Sequence, residues 1–536
     1  MARLTNNIVF VVIMSVLLFG CEDGEKALLS KQSIVYCSEG TPEGFNPQTV
    51  TSGVTVDATS NILYDRLISF NKADNSLEPA LAKSWHITRD GKKITFYLRK
   101  DVAFNSTDYF KPTRHLNADD VIFSFNRILD ASHPFHYVSG GKYPFFQSVS
   151  FEQLIDNIEK INDYTIRFTL TRADSTLLTN LATDYAVILS KEYGDNLLAS
   201  GTLQDMDNKP VGTGPYYLKD YRAGSYIRYF PNKEYWRAPS ELEQLIYDIT
   251  ASDTGRLTKL LTHECDVIAY PIAHNEINKR SDLTLDEVTA FNVGYLGFNT
   301  LKPPFDDINV RRAVAHVINK QAILDTVYFG QAEEANTIIP KSSWANPGDL
   351  TTPEFSLEKA KRLLVEAGYP NGFTIDMWAM PVQRSYNPDA LTMAKLIQAD
   401  LKKIDVKVNV ISYEWQEFLK RLAEGEHQTV LLGWAADHPD PDNFFSPLLS
   451  CVSAATGSNR TFWCNKDYDS LISSALETTN ITKRKQYYKE ALAIIAQEIP
   501  LVPIAHSKRY QARTKEVKGT LMSSFGGINF DQVSKQ

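Results

Sequence analysis

The sequence has few cysteines, no long apolar run and none of the common signatures of a catalytic site. Of its 536 residues only 5 are cysteine, so it is not a disulfide-dense mini-scaffold. No C-x₂-C pair, H-E-x-x-H, G-x-S-x-G, Walker A or Rossmann pattern occurs. These absences predict a protein that is not an enzyme and that carries no cofactor or metal.

Composition excludes several further classes of protein. A content of 43% hydrophobic and 22% charged residues is that of a globular protein, not of a disordered or collagen-like chain. At roughly 150 residues per domain, the length predicts two to four folding units. The formal net charge of −8 disfavours binding to nucleic acid.

The first residues have the pattern of an export signal. Arg3 precedes an apolar run at 8–19, which is too short to span a bilayer and is typical of a signal peptide. No later stretch reaches 18 apolar residues. Gly20 beside Cys21 resembles a bacterial lipobox, so we expect a lipoprotein signal peptide at 1–20, lipid on Cys21 and a tether at 21–31. The alternative is a plain secretory signal with a coincidental cysteine.

Four cysteines remain if Cys21 carries lipid, and an even number in an exported protein suggests two disulfides. Three connectivities are possible. Cys451 and Cys464 close a short loop rich in Ser, Gly and Asn, which makes them the easiest local pair. That pairing would leave Cys37 with Cys265.

Strands and helices alternate regularly in the second half of the chain. We predict strands at 373–380, 406–412 and 429–434, with helices at 389–404 and 415–423 between them. This βαβαβ order predicts parallel strands with right-handed crossovers. Ligands of such sheets lie beyond the carboxyl ends of the strands.

The remaining pattern predicts a second α/β region and a connection between the two. Strands are expected at 94–98 and 165–170, and Asn117 is expected to cap a helix that ends near residue 129. A single amphipathic helix is expected at 309–327, and Ser356 should cap another that ends at Gly368. Strands at 292–299 and 500–506 bracket the second region, and two crossing strands are what a hinge between lobes needs.

One pair of charges could bind a small zwitterion. Arg384 and Asp437 follow two strands of the same predicted sheet, so both should face an interlobe cleft. A guanidinium can bind a carboxylate bidentately, and a carboxylate can bind an ammonium. The alternatives are a structural salt bridge or solvent exposure. Asp437, Asp440 and Asp442 do not fit an EF-hand, because the central Gly and the final Glu are missing; they could form a turn.

Several segments together resemble the dipeptide-binding branch of the peptide/nickel family of substrate-binding lipoproteins, which serve bacterial ABC importers. They are YCSEGTPEGFNPQ (36–48), NADDVIFSFNR (117–127), VGTGPY (211–216), FNVGYLGFN (291–299), WAMPVQRSYNP (378–388), YEWQEFLKR (413–421) and DPDNFF (440–445). The resemblance implies a bilobed periplasmic-binding-protein fold of the type II, large peptide-binding class. Lobe I would comprise 32–290 plus 508–536 and lobe II 291–507. It also implies the disulfides Cys37–Cys265 and Cys451–Cys464.

The resemblance further implies the residues of the site and the partners of the protein. Arg384 would bind the carboxylate of a dipeptide or short peptide, and Asp437 its α-amino group. Walls and backbone contacts would come from Ser52, Gly53, Tyr386, Trp415, Gly433 and Trp434. The expected protein is a monomer, lipid-anchored in the periplasm, that delivers its ligand to an ABC permease.

One loop departs from the pattern of dipeptide binders. Residues 435–440 read AADHPD, without the two glycines that the branch carries there, so the loop bearing Asp437 is stiffer. Ligand preference could therefore have moved to haem or an antimicrobial peptide, which other members of the fold bind. His438 is a conceivable haem ligand, but we expect a solvated loop histidine. A secreted peptide hydrolase is the alternative from another class.

Overall fold

The computed structural model of the chain describes residues 32–72, 74–348, 350, 353–456 and 458–536. The predicted signal peptide at 1–20, the lipidated Cys21 and the tether at 21–31 lie outside the described residues. Within the described ranges, no helix combines the length and apolar character that crossing a membrane requires.

The strands are numbered in chain order. In the first half they are β1 (Ser33–Ser38), β2 (Ile68–Phe70), β3 (Leu77–Pro79), β4 (Ala82–Ile87), β5 (Lys93–Leu98), β6 (Ile155–Asn162), β7 (Thr165–Leu170), β8 (Tyr216–Arg222), β9 (Tyr226–Pro231), β10 (Gln244–Ile249) and β11 (Val267–Ile268). In the second half they are β12 (Leu283–Thr289), β13 (Asn292–Phe298), β14 (Ala332–Glu334), β15 (Thr374–Ala379), β16 (Lys407–Ile411), β17 (Thr429–Ala435), β18 (Leu501–Thr514), β19 (Val517–Lys518) and β20 (Ser534–Lys535).

The α-helices are numbered in the same way. Those of the first half are α1 (Gly53–Leu63), α2 (Ala118–Leu129), α3 (Pro144–Ser148), α4 (Phe151–Leu154), α5 (Leu177–Asn180), α6 (Lys191–Ser200), α7 (Asp205–Asn208), α8 (Asp253–Leu261) and α9 (His274–Lys279). Those of the second half are α10 (Ile308–Ala315), α11 (Lys320–Val327), α12 (Leu357–Glu366), α13 (Ala390–Leu401), α14 (Trp415–Ala423), α15 (Asp442–Leu449), α16 (Cys451–Thr456), α17 (Lys466–Leu476) and α18 (Ile481–Glu498).

A mixed sheet runs through the whole molecule. Its hydrogen-bonded order is β16-β15-β17-β13-β18-β11-β1-β10-β9-β8, with β12 and β14 also pairing with β18. β15 pairs in parallel with both β16 and β17, which confirms the predicted parallel unit. A separate antiparallel sheet has the order β4-β5-β7-β6.

Two large hydrophobic cores occupy the two halves of this sheet, and a third, smaller one lies among β1, α8, α9 and β18. One large core is built from residues between 34 and 269 together with 517–533, and the other from residues between 293 and 505. We call the bodies around the two large cores lobe I and lobe II. The predicted end residues of the lobes stay a prediction.

Two passages of chain connect the lobes at the places where the sequence predicts crossing strands: β18 crosses as one continuous strand, and the other passage is the junction between β12 and β13. The first part of β18 pairs with β13 of lobe II, and residues 508–514 pair with β12 of lobe I. Only Ala290 and Phe291 separate β12 from β13. Each lobe is therefore joined to the other by two short, hydrogen-bonded passages of chain, which is the arrangement of a hinge.

Local sequence signals fix several helix ends. Asn117 and Asp120 form a reciprocal capping box at the start of α2, and Ser356 caps α12 while Gly368 follows it at φ +87°. The single helix predicted at 309–327 is wrong, because the chain leaves the helix after Ala315. The side chain of Asn319 then caps a second helix by accepting from the N–H of Ala322.

Both cysteine pairs implied by the resemblance are present. Cys37 and Cys265 have Cα atoms 5.9 Å apart, and those of Cys451 and Cys464 are 4.5 Å apart. The first pair ties β1 to the turn before β11. The second closes the loop that contains α16.

Candidate functional site

The two charged residues singled out in the sequence follow neighbouring parallel strands. β15 ends at Ala379, five residues before Arg384, and β17 ends at Ala435, two residues before Asp437. Residues of β15 pair in register with residues of β17, Ala379 lying opposite Leu431. Both loops therefore leave the same carboxyl edge of the sheet, as predicted.

Two glycines form the seat for the loop that carries Arg384. Gly294 of β13 lies opposite Gly433 of β17. A Cβ atom on Gly433 would stand 2.2 Å from the ring of Tyr386, and one on Gly294 would stand 2.3 Å from the Tyr386 carbonyl oxygen. The hydroxyl of Tyr328 donates to that carbonyl over 2.7 Å. Tyr386 thus lies directly on the bare backbone of two strands.

Arg384 is held by its own loop and by an aromatic wall. Its backbone exchanges hydrogen bonds with that of Asn387, and its side chain donates to the Gln383 carbonyl over 2.8 Å. The guanidinium lies 5.8 Å from the centre of the Trp415 ring, which stacks on Phe418. Within the described part of the chain, no carboxylate oxygen lies within 4 Å of this guanidinium.

The electrostatic surroundings of Arg384 include lobe I. Burial lowers the pKa of the guanidinium, but Tyr270, Tyr386, Glu39 and Asp57 together outweigh burial and raise it. Three of these groups belong to lobe I. Arg384 therefore faces across the cleft and remains charged.

Asp437 is held by an asparagine that the sequence analysis did not single out. The Asn443 Oδ1 atom accepts from the backbone N–H of Asp437 over 3.0 Å and from the indole N–H of Trp434 over 3.1 Å. The hydroxyl of Tyr185, in lobe I, donates to Asp437 Oδ1 over 3.2 Å. Burial and the nearby Asp184 raise the pKa of Asp437 to about 7, although the bonds from Tyr185 and Asn443 oppose this.

Arg384 and Asp437 are not locked onto each other. No ion pair joins them among the described residues, so the structural salt bridge weighed in the sequence analysis does not form. A cavity of about 400 Å³ opens beside Asp437. Asp437 is the one predicted site residue on its wall, and the other lining residues belong to lobe I. The cavity therefore adjoins one end of the predicted site and not the Arg384 end.

Ser52 and Gly53 lie at the start of α1 in lobe I. Ser52 precedes the first helical residue, and Gly53 is exposed with no heavy atom within 4 Å of the place of a Cβ atom. Asp57 lies one turn further along α1, on the same face as Gly53. Because Asp57 is among the charges near Arg384, the start of α1 faces the cleft.

The two acids after Asp437 have structural roles, which go beyond the turn suggested for them from the sequence. Asp440 forms two 2.8 Å bonds with Arg484, and both side chains are buried. Asp442 begins α15. The expectation of a solvated His438 is wrong: it is 2% exposed, and its Nδ1 accepts from the N–H of Asp440. Among the described residues, no cluster of three or more His, Cys, Asp or Glu is placed to hold a metal.

Sequence reasoning missed Tyr185, Asn443 and Gly294. Asn443 stands in the DPDNFF segment, where an acceptor at a helix start was a usable signal. Tyr185 stands in an apolar run (residues 185–189, YAVIL), and nothing local marks its hydroxyl as part of a site. Its partner is 252 residues away in the chain.

The seat for Tyr386 gives a first prediction. Gly433→Ala should weaken ligand binding about tenfold. The new methyl group would collide with the Val293 carbonyl oxygen, which is strand backbone and cannot move, and with the ring of Tyr386. Tyr386 must therefore move, and Arg384 moves with it. Isothermal titration calorimetry would measure the change. Gly44→Ala is the matched control, since its nearest atom would be Asp207 O at 3.5 Å. Equal affinity of the Gly433 variant and the wild type would contradict the role of this seat.

Comparison with known proteins gives close matches along the chain. The family model "Bacterial extracellular solute-binding proteins, family 5 Middle" matches residues 76–456. The dipeptide-binding protein of Escherichia coli K12 is 44% identical over 510 residues, 95% of each chain. Heme-binding protein A of Haemophilus influenzae is 41% identical over 507 residues, 94% of this chain and 92% of that one. The crystal structure of a dipeptide binding protein from Pseudoalteromonas sp. SM9913 in complex with Met-Leu superposes with a TM-score of 0.90 at 48% identity, covering 94% of this chain and all of that one.

Proposed function

The chain belongs to family 5 of the bacterial extracellular solute-binding proteins and has the bilobed type II α/β fold of peptide-binding members; from this premise we propose that it is the substrate-binding component of an ABC importer. It captures dipeptides or short peptides in the periplasm and delivers them to the permease. Its relatives named as dipeptide-binding proteins support this reading.

The observation that carries the proposal is the placement of Arg384 and Asp437. They leave one edge of the sheet, face lobe I and are not paired with each other. A guanidinium and a carboxylate held apart in this way fit the two charged ends of a zwitterion. A dipeptide spans two residues at ~3.5 Å each.

Two fixed charges also select for length. A longer chain that kept one end in place would leave the other charge buried and unpaired, which costs several kcal/mol. Side chains of the ligand lie between the charges, where Trp415, Tyr386 and Trp434 supply apolar walls. The backbone of Gly433, Ser52 and Gly53 contacts the ligand. Closure of the lobes excludes water and strengthens both charge contacts.

The proposal extends to the anchoring and organisation of the protein. The protein is a monomer, held at a bacterial membrane by lipid on Cys21 after removal of the signal peptide at 1–20, with 21–31 as a tether. Lobe I comprises 32–290 and 508–536, and lobe II comprises 291–507. It binds its ligand without chemical change, and a peptide recovered intact after incubation is the expected result.

Calorimetric titration of the full chain tests the proposal. Dipeptides such as Met-Leu should bind with 1:1 stoichiometry, tripeptides more weakly, and N-acetylated dipeptide amides without measurable heat. Failure of every zwitterionic di- and tripeptide to bind would refute it. Release of free amino acids would instead indicate the hydrolase alternative.

Haem is the second candidate ligand, favoured by the heme-binding relative at 41% identity. The stiffer loop at 435–440 is consistent with a shift in preference. A Soret band that shifts on titration and saturates at one haem per chain would support haem binding. Competition by a dipeptide would then decide whether one site serves both ligands, and an antimicrobial peptide can be tested in the same competition.

A further inference from the structure

One hydrogen bond connects the proposed ammonium site directly to the opposite lobe. The Tyr185 hydroxyl donates to Asp437 Oδ1 over 3.2 Å. Tyr185 belongs to the core of lobe I, whereas Asp437 belongs to the loop after β17 in lobe II. The carboxylate therefore already receives one donor from across the cleft.

The hydroxyl of Tyr185 is firmly placed. Its side chain is 6% exposed, and its ring stacks on Phe145 with centroids 4.6 Å apart. The same stretch of lobe I makes a second bond to lobe II, because the N–H of Ser175 donates to the Leu476 carbonyl over 2.7 Å. Tyr185 thus stands on the part of lobe I that docks against lobe II.

The polar groups at this point have capacity left for a ligand. A tyrosine hydroxyl has one proton, which Tyr185 donates to Asp437, and its oxygen can still accept a hydrogen bond. A carboxylate has about four lone-pair sites, so Asp437 can accept from a ligand beside the bonds from Tyr185 and Asn443. The adjacent Asp184 is already engaged, since it pairs with Arg66 over 2.7 Å and accepts from the N–H of Gly527 over 2.7 Å.

We propose that Tyr185 is a ligand-binding residue that completes, from lobe I, a two-lobed subsite for a primary ammonium group. The ammonium donates to Asp437 and to the Tyr185 oxygen, so recognition of the amino end and closure of the lobes occur together. This inference rests on the proposed function and names the lobe I half of that site. Its consequence is selection of free, unacylated amino ends.

The hydrogen bond from Tyr185 to Asp437 also sets the pH range in which the subsite binds an ammonium group. Asp184 faces Asp437 and disfavours its ionised form, while Tyr185 and Asn443 favour it; Asp57 lies near Tyr185. Removal of the Tyr185 hydroxyl therefore raises the pKa of Asp437 further. The affinity of the variant for an ammonium ligand should then begin to fall at a higher pH than that of the wild type.

Tyr185→Phe tests the inference, with Met-Leu titrated by calorimetry from pH 5.5 to 8.5. We expect about tenfold weaker binding at pH 8, as for loss of a hydrogen bond to a charged group, and a pH midpoint shifted upward. Tyr229→Phe is the control, because it removes a buried hydroxyl that donates to Ala58 O inside lobe I. It should leave affinity and midpoint unchanged, and thermal melts should show both variants folded.

The outcomes separate this inference from the proposed function. If the wild type binds Met-Leu and the Tyr185 variant matches it in affinity and midpoint, the role of Tyr185 is refuted while the proposed function stands. If the wild type binds no dipeptide, the proposed function fails, and this inference fails with it. Weaker binding with an unchanged midpoint would also contradict the subsite, because loss of the Tyr185–Asp437 hydrogen bond must shift the titration of Asp437, whereas a mere packing defect would leave it unchanged.

Discussion

Replacing Arg384 with alanine is expected to weaken dipeptide binding about 30- to 3,000-fold, as for truncation of one partner in a buried, hydrogen-bonded charge pair. The effect should be large because, among the described residues, no carboxylate forms an ion pair with Arg384, which leaves its charge for the ligand carboxylate. The aromatic wall at Trp415 would remain, so apolar contacts alone would hold the ligand. Calorimetry with Met-Leu measures the loss.

Two further variants make the Arg384 result specific. Arg384→Lys keeps the charge but loses the planar, two-pronged geometry, so its affinity should fall between those of the wild type and the alanine variant. Arg362→Ala is the matched control, since Arg362 is exposed on α12 and forms a surface ion pair with Glu366 over 3.9 Å. An alanine variant at 384 that binds as the wild type does would remove Arg384 from the site.

The second large effect is expected for Asp437→Asn, which should also weaken dipeptide binding about 30- to 3,000-fold. In the wild type, the ammonium ligand binds the ionised carboxylate, and the pKa of this group without the ligand's charge beside it is about 7. Affinity should therefore be constant above pH 7 and should fall on acidification by up to about tenfold per pH unit. The asparagine variant should lack this pH dependence. Asp325→Asn on α11 is the exposed control.

Asp437→Asn should weaken dipeptide binding but should not lower the free energy of unfolding at pH 8. Asp437 has a folded-state pKa above its ordinary value. The native state therefore holds more protons than the unfolded state between about pH 4 and 7. Because of this difference, the contribution of Asp437 lowers the free energy of unfolding as pH rises through that window. Asp437→Asn should then be at least as stable as the wild type at pH 8. Lower stability in urea at pH 8 would show that Asp437 has a structural role instead.

Local signals in the sequence were sufficient for the elements that carry the site. Strands β15, β16 and β17 and helix α14 follow from alternation and from apolar periodicity, and their order dictates a parallel sheet. That order alone brings Arg384 and Asp437 to one edge. The lobe II part of the hinge was predictable because the segments 292–299 and 500–506 are mostly apolar, whereas the continuation of β18 through residues 508–514 is largely polar and was not predicted.

Contacts between residues far apart in the chain could not be predicted from the sequence. The pair Asp440–Arg484 and the bond Tyr185–Asp437 join residues 44 and 252 positions apart, and neither member of either pair has a local pattern that identifies its partner. His438 was misjudged for a related reason. A polar loop sequence predicts exposure, but the buried Asp440 beside it holds the loop inside lobe II.

The break at 316–319 has a different cause. Apolar residues continue at helical spacing through this stretch, so periodicity predicts one helix. The side chain of Asn319 instead competes for a backbone N–H and starts a new helix. Periodicity reports which face is buried and does not by itself report where the helix is interrupted.

The central claim is that each end of the ligand is recognised by one fixed charge, and calorimetry with end-modified dipeptides on the wild type and two variants tests it most directly. Acetylating the amino end of Met-Leu should cost the wild type at least about tenfold in affinity but cost Asp437→Asn little, and amidating the carboxyl end should behave likewise with Arg384→Ala. Equal losses in the wild type and in both variants would contradict the account, because neither charge would then be sensing its end of the ligand.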